Sequence, residues 1–212
     1  AAINDEQEKF DVELTKKMAD LGLLGICVPE EYGGQGLDTL SYIIAVEELA
    51  RVDGSTAATI AADNSLGITP IKEYGTIEQK ERYLPRLCKS HLWGFGLTEE
   101  TAGCDSRGTK STARLVDGEW IVNGSKIFIT NSATPMTLGS TIQVVSGEKD
   151  GKPEFTAFLI ENDTPGFTQR KMDRKMMWRA SNTGELRFDN VRLTDENILG
   201  KPGQGSHIML AT

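Results

Sequence analysis

The chain has 212 residues, 38% of them hydrophobic and 25% charged, which is ordinary globular composition and enough length for one large domain or two smaller ones with a buried core. A net charge of −8 and an isoelectric point near 4.9, with no long Lys/Arg run, argue against nucleic acid or an anionic membrane as partner. Three scattered cysteines (Cys27, Cys88, Cys104) argue against a disulfide framework, two isolated histidines (His91, His207) give no zinc spacing, and no apolar run reaches the ~18 residues of a spanning helix.

In chain order, Phe10, Leu14, Met18 and Leu21 recur at helical spacing opposite Glu8, Lys9, Glu13, Lys16 and Lys17, which predicts an amphipathic helix on a core. Leu21 to Val28 reads as buried and extended. Pro29-Glu30-Glu31-Tyr32-Gly33-Gly34-Gln35-Gly36 follows as a loop; it matches neither GxGxxG nor a P-loop, so its glycines are read as backbone turns rather than a phosphate cradle. Asp38 is placed to cap a helix carrying Tyr42, Ile43, Val46 and Leu49 that ends near Val52-Asp53-Gly54. The Ala/Thr-rich stretch Ser55 to Ala62 predicts a helix that packs closely or leaves room for a ligand. Asn64-Ser65-Leu66-Gly67 interrupts it, a short helix follows around Ile71, and Thr76 with Gln79 forms a capping box for a helix through Tyr83, Leu84 and Leu87. Residues 1 to about 90 therefore form a helical domain.

From His91 the period changes to two. Asp117-Gly118 between Ser111–Val116 and Glu119–Ile129 is the strongest hairpin signal, and Asp150-Gly151 joins Thr141–Val145 to Glu154–Ile160 in a second. Pro165-Gly166 turns the chain again, and a late strand carries Leu186, Phe188, Val191 and Leu193, with a bulge indicated at Asp189-Asn190. Five to seven strands without intervening helices predict an antiparallel sandwich or barrel over residues 91–202. Residues 203–212 begin a further apolar helix that stops in its first turns, and the sequence looks like a fragment. The segment Gly94 to Asn131 joins the two halves, and strand pairing would turn Thr98 and Thr130 toward one pocket.

Leu97-Thr98-Glu99 with Ala102-Gly103-Cys104-Asp105, Asn123 to Asn131 (NGSKIFITN), Asp163-Thr164-Pro165-Gly166-Phe167, Leu186 to Val191 (LRFDNV) and Gly203-Gln204-Gly205, in this order, resemble the acyl-CoA dehydrogenase family. Pro29 to Gly34 and Asn64 to Gly67 fit the same pattern, so the likeness covers essentially all 212 residues. It implies an α+β, multi-domain flavoprotein with a helical N-terminal domain, a β-barrel middle domain and a C-terminal helical domain. Such an enzyme oxidises acyl-CoA thioesters to trans-2-enoyl-CoA: a glutamate removes the α-proton, the β-hydrogen leaves as hydride to FAD, and electrons pass to an electron-transferring flavoprotein. The family's glutamate belongs to the C-terminal domain and its first N-terminal helix is also unmatched, so the fragment itself is expected to be inactive and to bind FAD weakly. A homo-oligomeric parent is implied, soluble and intracellular, in the cytoplasm if bacterial or the mitochondrial matrix if eukaryotic.

Residue by residue, the resemblance puts Phe95, Leu97 and Thr98 along the flavin's pyrimidine edge, where donors stabilise charge that develops on reduction. Gly103 and Cys104 match a Gly-Ser turn near the flavin and the acyl-CoA phosphates, here with a weak thiol donor in place of a hydroxyl. Phe128, Ile129 and Thr130 match the segment beside the isoalloxazine; the family often has tryptophan first, and phenylalanine keeps the aromatic face without the indole donor. Ser181 and Thr183 match a loop near the nucleotide or the flavin, and Ala61 and Ala62 fall where a helix lines the acyl tail.

Each assignment has a plainer competitor. Thr98 and Thr130 are common strand residues, Phe95 and Phe128 would serve as core, and Cys104 would serve as a small turn residue, with no histidine near it in sequence to activate it. Glu99 and Glu100, being adjacent, point apart and read as a solvated pair or a structural bond rather than an acid–base pair. Arg170 to Lys175 reads as a solvated basic strand end, with a CoA-phosphate contact as the alternative. At the level of function, an acyl-CoA oxidase or flavin monooxygenase of the same fold and a non-catalytic binding module are the alternatives.

Overall fold

The computed structural model describes all 212 residues. Seven α-helices, α1 (Ala2–Glu6), α2 (Val12–Asp20), α3 (Thr39–Ala50), α4 (Gly54–Ala62), α5 (Thr69–Tyr74), α6 (Ile77–Lys89) and α7 (Gly205–Leu210), frame eight strands: β1 (Leu92–Gly96), β2 (Thr112–Val116), β3 (Glu119–Thr130), β4 (Thr137–Lys149), β5 (Lys152–Glu161), β6 (Phe167–Lys171), β7 (Thr183–Leu193) and β8 (Ile198–Leu199). No helix is long and apolar enough to cross a membrane.

Local chemistry sets the helix ends. Asp11, Asp38 and Asp53 accept from the N–H groups of Leu14, Ser41 and Ser55, and Thr76 and Gln79 form the expected reciprocal box. Each such cap contributes about 1 kcal/mol by satisfying an orphan donor. Gly33 and Gly36 take left-handed φ values of 85° and 62°, and a Cβ on Gly34 would strike the Val28 carbonyl. The loop glycines are thus turn formers. Residues 21–28 are a succession of turns rather than an extended strand. Their buried side chains Leu24, Ile26 and Val28 explain the apolar run. α2 buries Thr15, Met18 and Ala19 while Leu21 is 76% exposed, so its inner face is rotated from the expected stripe. α3 packs along α4, where the Tyr42 hydroxyl donates to the Ala61 carbonyl, and it buries no residue fully; Leu40, Ile43 and Ile44 face outward.

α4 runs into a wider, π-type turn at Asp63–Ile68. Tertiary demands explain it: the Asn64 side chain accepts from Ile26 N–H and donates to the Leu23 and Ile60 carbonyls, and Asp63 accepts from Trp93 N–H.

The strands form one open sheet in the order β6-β7-β3-β2-β4-β5-β8, with β1 added on β4. The expected barrel does not close. Most pairs are antiparallel, but β1–β4 and β2–β4 are parallel. Both hairpins turn where expected, with Asp117 and Gly118 at φ 51° and 85° and Asp150 and Gly151 at 52° and 71°, the primed geometry that matches strand twist. One core lies within the sheet around Trp120, Val122, Phe158 and Phe188. A second joins sheet to helices through Trp93, Leu84, Leu87, Ile71 and Leu159. α7 packs its Ile208 into this second core.

Two bulges shape β3 and β7. Between Val122↔Val191 and Gly124↔Phe188, β7 holds one extra residue, at the expected Asp189-Asn190 position, with Asn190 at φ 51°. Between Lys126↔Leu186 and Ile129↔Gly184 the extra residue is in β3, and Phe128 there has φ 60°.

Candidate functional site

The bulge in β3 builds the site's first wall. Without it Phe128 would continue the alternation of the ladder; with it, the ring turns outward and is 60% exposed, on a backbone that a bulky side chain adopts only at a cost of about 1–2 kcal/mol. Ile129 points the other way, into the sheet core, so only its main chain can face a ligand. Thr130 is part-exposed at the end of the ladder, directly opposite Thr183.

The second wall comes from the segment after β1. β1 pairs with β4, not β3, so no ladder joins the Thr98 and Thr130 ends; the main-chain link between the two segments is Ile127 N–H donating to the Thr98 carbonyl at 2.9 Å. Phe95, Leu97 and Thr98 are all part-exposed. Beyond them the loop from Glu99 to Ser111 carries Gly103 and Cys104 on its outer side.

Glu99 and Glu100 do point apart. Glu100 is exposed, whereas Glu99 is 6% exposed and its Oε1 lies 2.7 Å from Lys126 Nζ, a side chain with no exposure at all. The Lys110 and Ser111 N–H groups also donate to Glu99, at 2.6 and 3.1 Å. Burial alone would raise the Glu99 carboxyl, but Lys126 and these donors outweigh it and hold the group below the usual carboxylate range. Burial pulls the Lys126 amine below the usual lysine range, and Glu99 opposes that only in part. Sequence reasoning missed Lys126. Its signal was present: counting by twos from Trp120 and Val122 puts a lysine on the inward phase, where an unpaired cation is prohibitively costly.

The other candidates divide. Ser181 is buried; its carbonyl accepts from Lys175 Nζ at 2.5 Å, and the same amine donates to Thr183 Oγ1 at 2.9 Å. Burial, with Lys171 beside it, pushes Lys175 below the usual lysine range. The basic run is therefore not simply solvated. Arg170 pairs at the surface with Glu185 and Lys171 with Asp173, while Lys171, Arg174 N–H and Arg179 also converge on Glu8 of the N-terminal segment. Ala61 and Ala62 end α4, which is tied to the end of β3 by Asn131 Nδ2 donating to the Thr59 carbonyl at 2.9 Å. Cys104 is exposed; Cys88 is buried and its thiol is pushed up to about 12 by burial and by Asp63.

The surface these residues form suits a planar ligand. An aromatic ring is held outward on strained backbone, two part-exposed threonines flank it, and a Cβ added to Gly103 would meet nothing within 4 Å, so neither φ nor packing within the chain requires glycine there. Of the residues expected at a flavin, Phe95, Leu97, Thr98, Gly103, Cys104, Phe128 and Thr130 reach the surface here.

The family model described as acyl-CoA dehydrogenase, N-terminal domain, matches residues 1–91, and the acyl-CoA dehydrogenase middle domain matches residues 94–191. The short-chain specific acyl-CoA dehydrogenase of Clostridium acetobutylicum is 43% identical over 213 residues, covering 100% of this chain and 56% of that protein. The structure of butyryl-CoA dehydrogenase from Megasphaera elsdenii superposes with a TM-score of 0.89 at 41% identity, covering 96% of this chain and 54% of that one. An acyl-CoA dehydrogenase complexed with FAD from Bacillus anthracis gives 0.86 at 38% identity, covering 94% and 34%. The chain spans about half the length of the curated relatives it matches. With both domain models and relatives along its whole length, this chain belongs to the acyl-CoA dehydrogenase family of FAD-dependent oxidoreductases.

Proposed function

We propose that this chain supplies the N-terminal helical domain (residues 1–90) and the middle domain (residues 91–202) of a short-chain acyl-CoA dehydrogenase, with residues 203–212 opening a further helical part. The reaction is oxidation of an acyl-CoA to the trans-2-enoyl-CoA, with electrons passed to an electron-transferring flavoprotein. The observation that carries this reading is Phe128, turned outward at φ 60° beside the Thr98 segment that Ile127 N–H holds. The short acyl class is supported by the names of the Clostridium and Megasphaera relatives.

FAD, when bound, supplies the acceptor for the hydride from the β-carbon. The chain's own contribution is positional. Thr98 and Thr130 offer hydroxyl donors, the Phe128 face excludes water from one side of the ligand, and the open Gly103 admits backbone N–H groups to a phosphate or ring edge. Ala61 and Ala62 line the acyl tail, Cys104 lies by the flavin and the acyl-CoA phosphates, and Ser181 and Thr183 shape the loop near the nucleotide or flavin, Ser181 with its side chain buried and its carbonyl held by Lys175. A proton acceptor at the α-carbon is not among the residues of this site.

The test is a visible spectrum of the purified protein that carries this chain, titrated anaerobically with butyryl- to palmitoyl-CoA. Bound flavin that bleaches with the short thioesters supports the reading. Absent flavin, or flavin indifferent to every thioester, removes it.

A further inference from the structure

We propose that Lys126 is a positioning residue: it sets the whole segment from Leu97 to Ser111 against the end of β3, and so fixes the spacing between Thr98, the Gly103–Cys104 loop and Phe128–Thr130. Its bearing on the flavin rests on the function proposed above; the clamp itself does not.

Lys126 holds two points of the segment at once. Its amine donates to Glu99 Oε1 at 2.7 Å and to the Leu97 carbonyl at 3.2 Å, bracketing Thr98. Glu99 in turn closes the base of the loop, because its two oxygens take the N–H groups of Lys110 and Ser111, more than ten positions along the chain. The neighbours of Lys126 in β3 complete the attachment: Ser125 exchanges two bonds with the Ser111 hydroxyl, both 3.2 Å, and Ile127 N–H reaches the Thr98 carbonyl. The lysine stem passes under Gly96, where an added Cβ would lie 3.2 Å from Lys126 Cγ. Three consecutive residues of β3 thus grip both ends of the loop.

A buried ion pair is a poor device for stability, since two charges must leave water and an apolar pair of the same volume does as well. It is a good device for registration. An apolar pair would fill the space here but would orphan the Lys110 and Ser111 amides and the Leu97 carbonyl, and the loop would lose its fixed point. Two residues further along the same strand, the bulge projects Phe128 outward. One stretch of β3 therefore carries one wall of the site and aims the other.

Amide hydrogen exchange and FAD titration of Lys126→Met, Glu99→Gln and the double variant, all in the protein that carries this chain, test this. In Lys126→Met the Lys110, Ser111 and Ile127 amides are expected to exchange at least tenfold faster while the β2–β3 hairpin amides keep their rates, and FAD is expected to bind at least tenfold more weakly. The double variant, relieved of a lone buried charge, is expected to recover melting temperature but not FAD affinity. Unchanged exchange at those three amides overturns the proposal, as does a double variant that recovers affinity in step with stability. Should Lys126→Met fail to fold, Glu99→Gln carries the same two readouts. If the wild type takes up no FAD yet the three amides respond as stated, the clamp stands and the flavin reading falls.

Discussion

The Asp63 carboxylate accepts a hydrogen bond from Trp93 N–H at 3.1 Å, while its second oxygen, equally buried, has no partner. Burial pushes this carboxyl well above its ordinary value of 3.8, with the Trp93 bond opposing only weakly. The folded state therefore keeps a proton that the unfolded chain releases. The sign follows: this stability is fully present below pH 3.8 and is lost as pH rises toward the folded value, by up to about 1.4 kcal/mol per pH unit. Asn in place of Asp63 preserves the acceptor and never ionises. The Asp63→Asn variant should gain melting temperature over wild type, and the gain should grow in thermal scans as pH rises above 3.8.

Asn131 links the halves of the chain. It is fully buried, sits at φ 61°, and donates its side-chain amide to the Thr59 carbonyl on α4. Asn131→Ala both orphans that carbonyl and strains the backbone, and should cost about 2–4 kcal/mol in a denaturant titration. Asn131→Gly keeps the left-handed φ, so it should cost about 1 kcal/mol less than the alanine variant despite its smaller side chain.

Phe128 presents the reverse balance. Its ring is mostly in solvent and its backbone is strained, so Phe128→Gly should leave stability unchanged or raise it by up to about 1 kcal/mol. The same change removes the site's aromatic wall, and FAD affinity should fall at least tenfold by fluorescence titration. A loss of stability equal to that of a core phenylalanine would place the ring's role in the fold instead.

Gly103 gives a sharper form of the same contrast. A methyl group there meets open space and φ is ordinary, so Gly103→Ala should raise the unfolding free energy by about 0.4–1 kcal/mol through the unfolded chain's lost freedom. FAD or acyl-CoA binding should weaken, because the added methyl occupies the side that the chain leaves empty. Calorimetry with and without ligand separates the two effects.

What could be read from sequence was what short-range chemistry decides. The Asp117-Gly118 and Asp150-Gly151 turns, the Thr76–Gln79 box and the Asp189-Asn190 bulge each depend on a few adjacent residues, and each is where expected. The parallel placement of β1 and β2 on β4 depends on partners tens of residues away, and alternation along a strand does not name its neighbour. Lys126 and Asp63 were hidden for a related reason. Both are charged residues whose burial is made tolerable by groups distant in sequence, Glu99 for one and Trp93 with a retained proton for the other. Ile129 shows the converse: the motif around it marks the site, but the bulge turns its side chain to the core.

In the proposed function, Thr98, the Gly103–Cys104 loop and Phe128–Thr130 together hold the flavin of an acyl-CoA oxidation. The most direct measurement is the visible absorbance of the purified protein that carries this chain, followed anaerobically as butyryl-CoA is added. Bound FAD is expected to bleach on addition of the thioester, with Thr130→Val and Thr98→Val each weakening FAD binding without lowering the melting temperature. A colourless protein that takes up no added FAD, or a flavin that no acyl-CoA reduces, would contradict it.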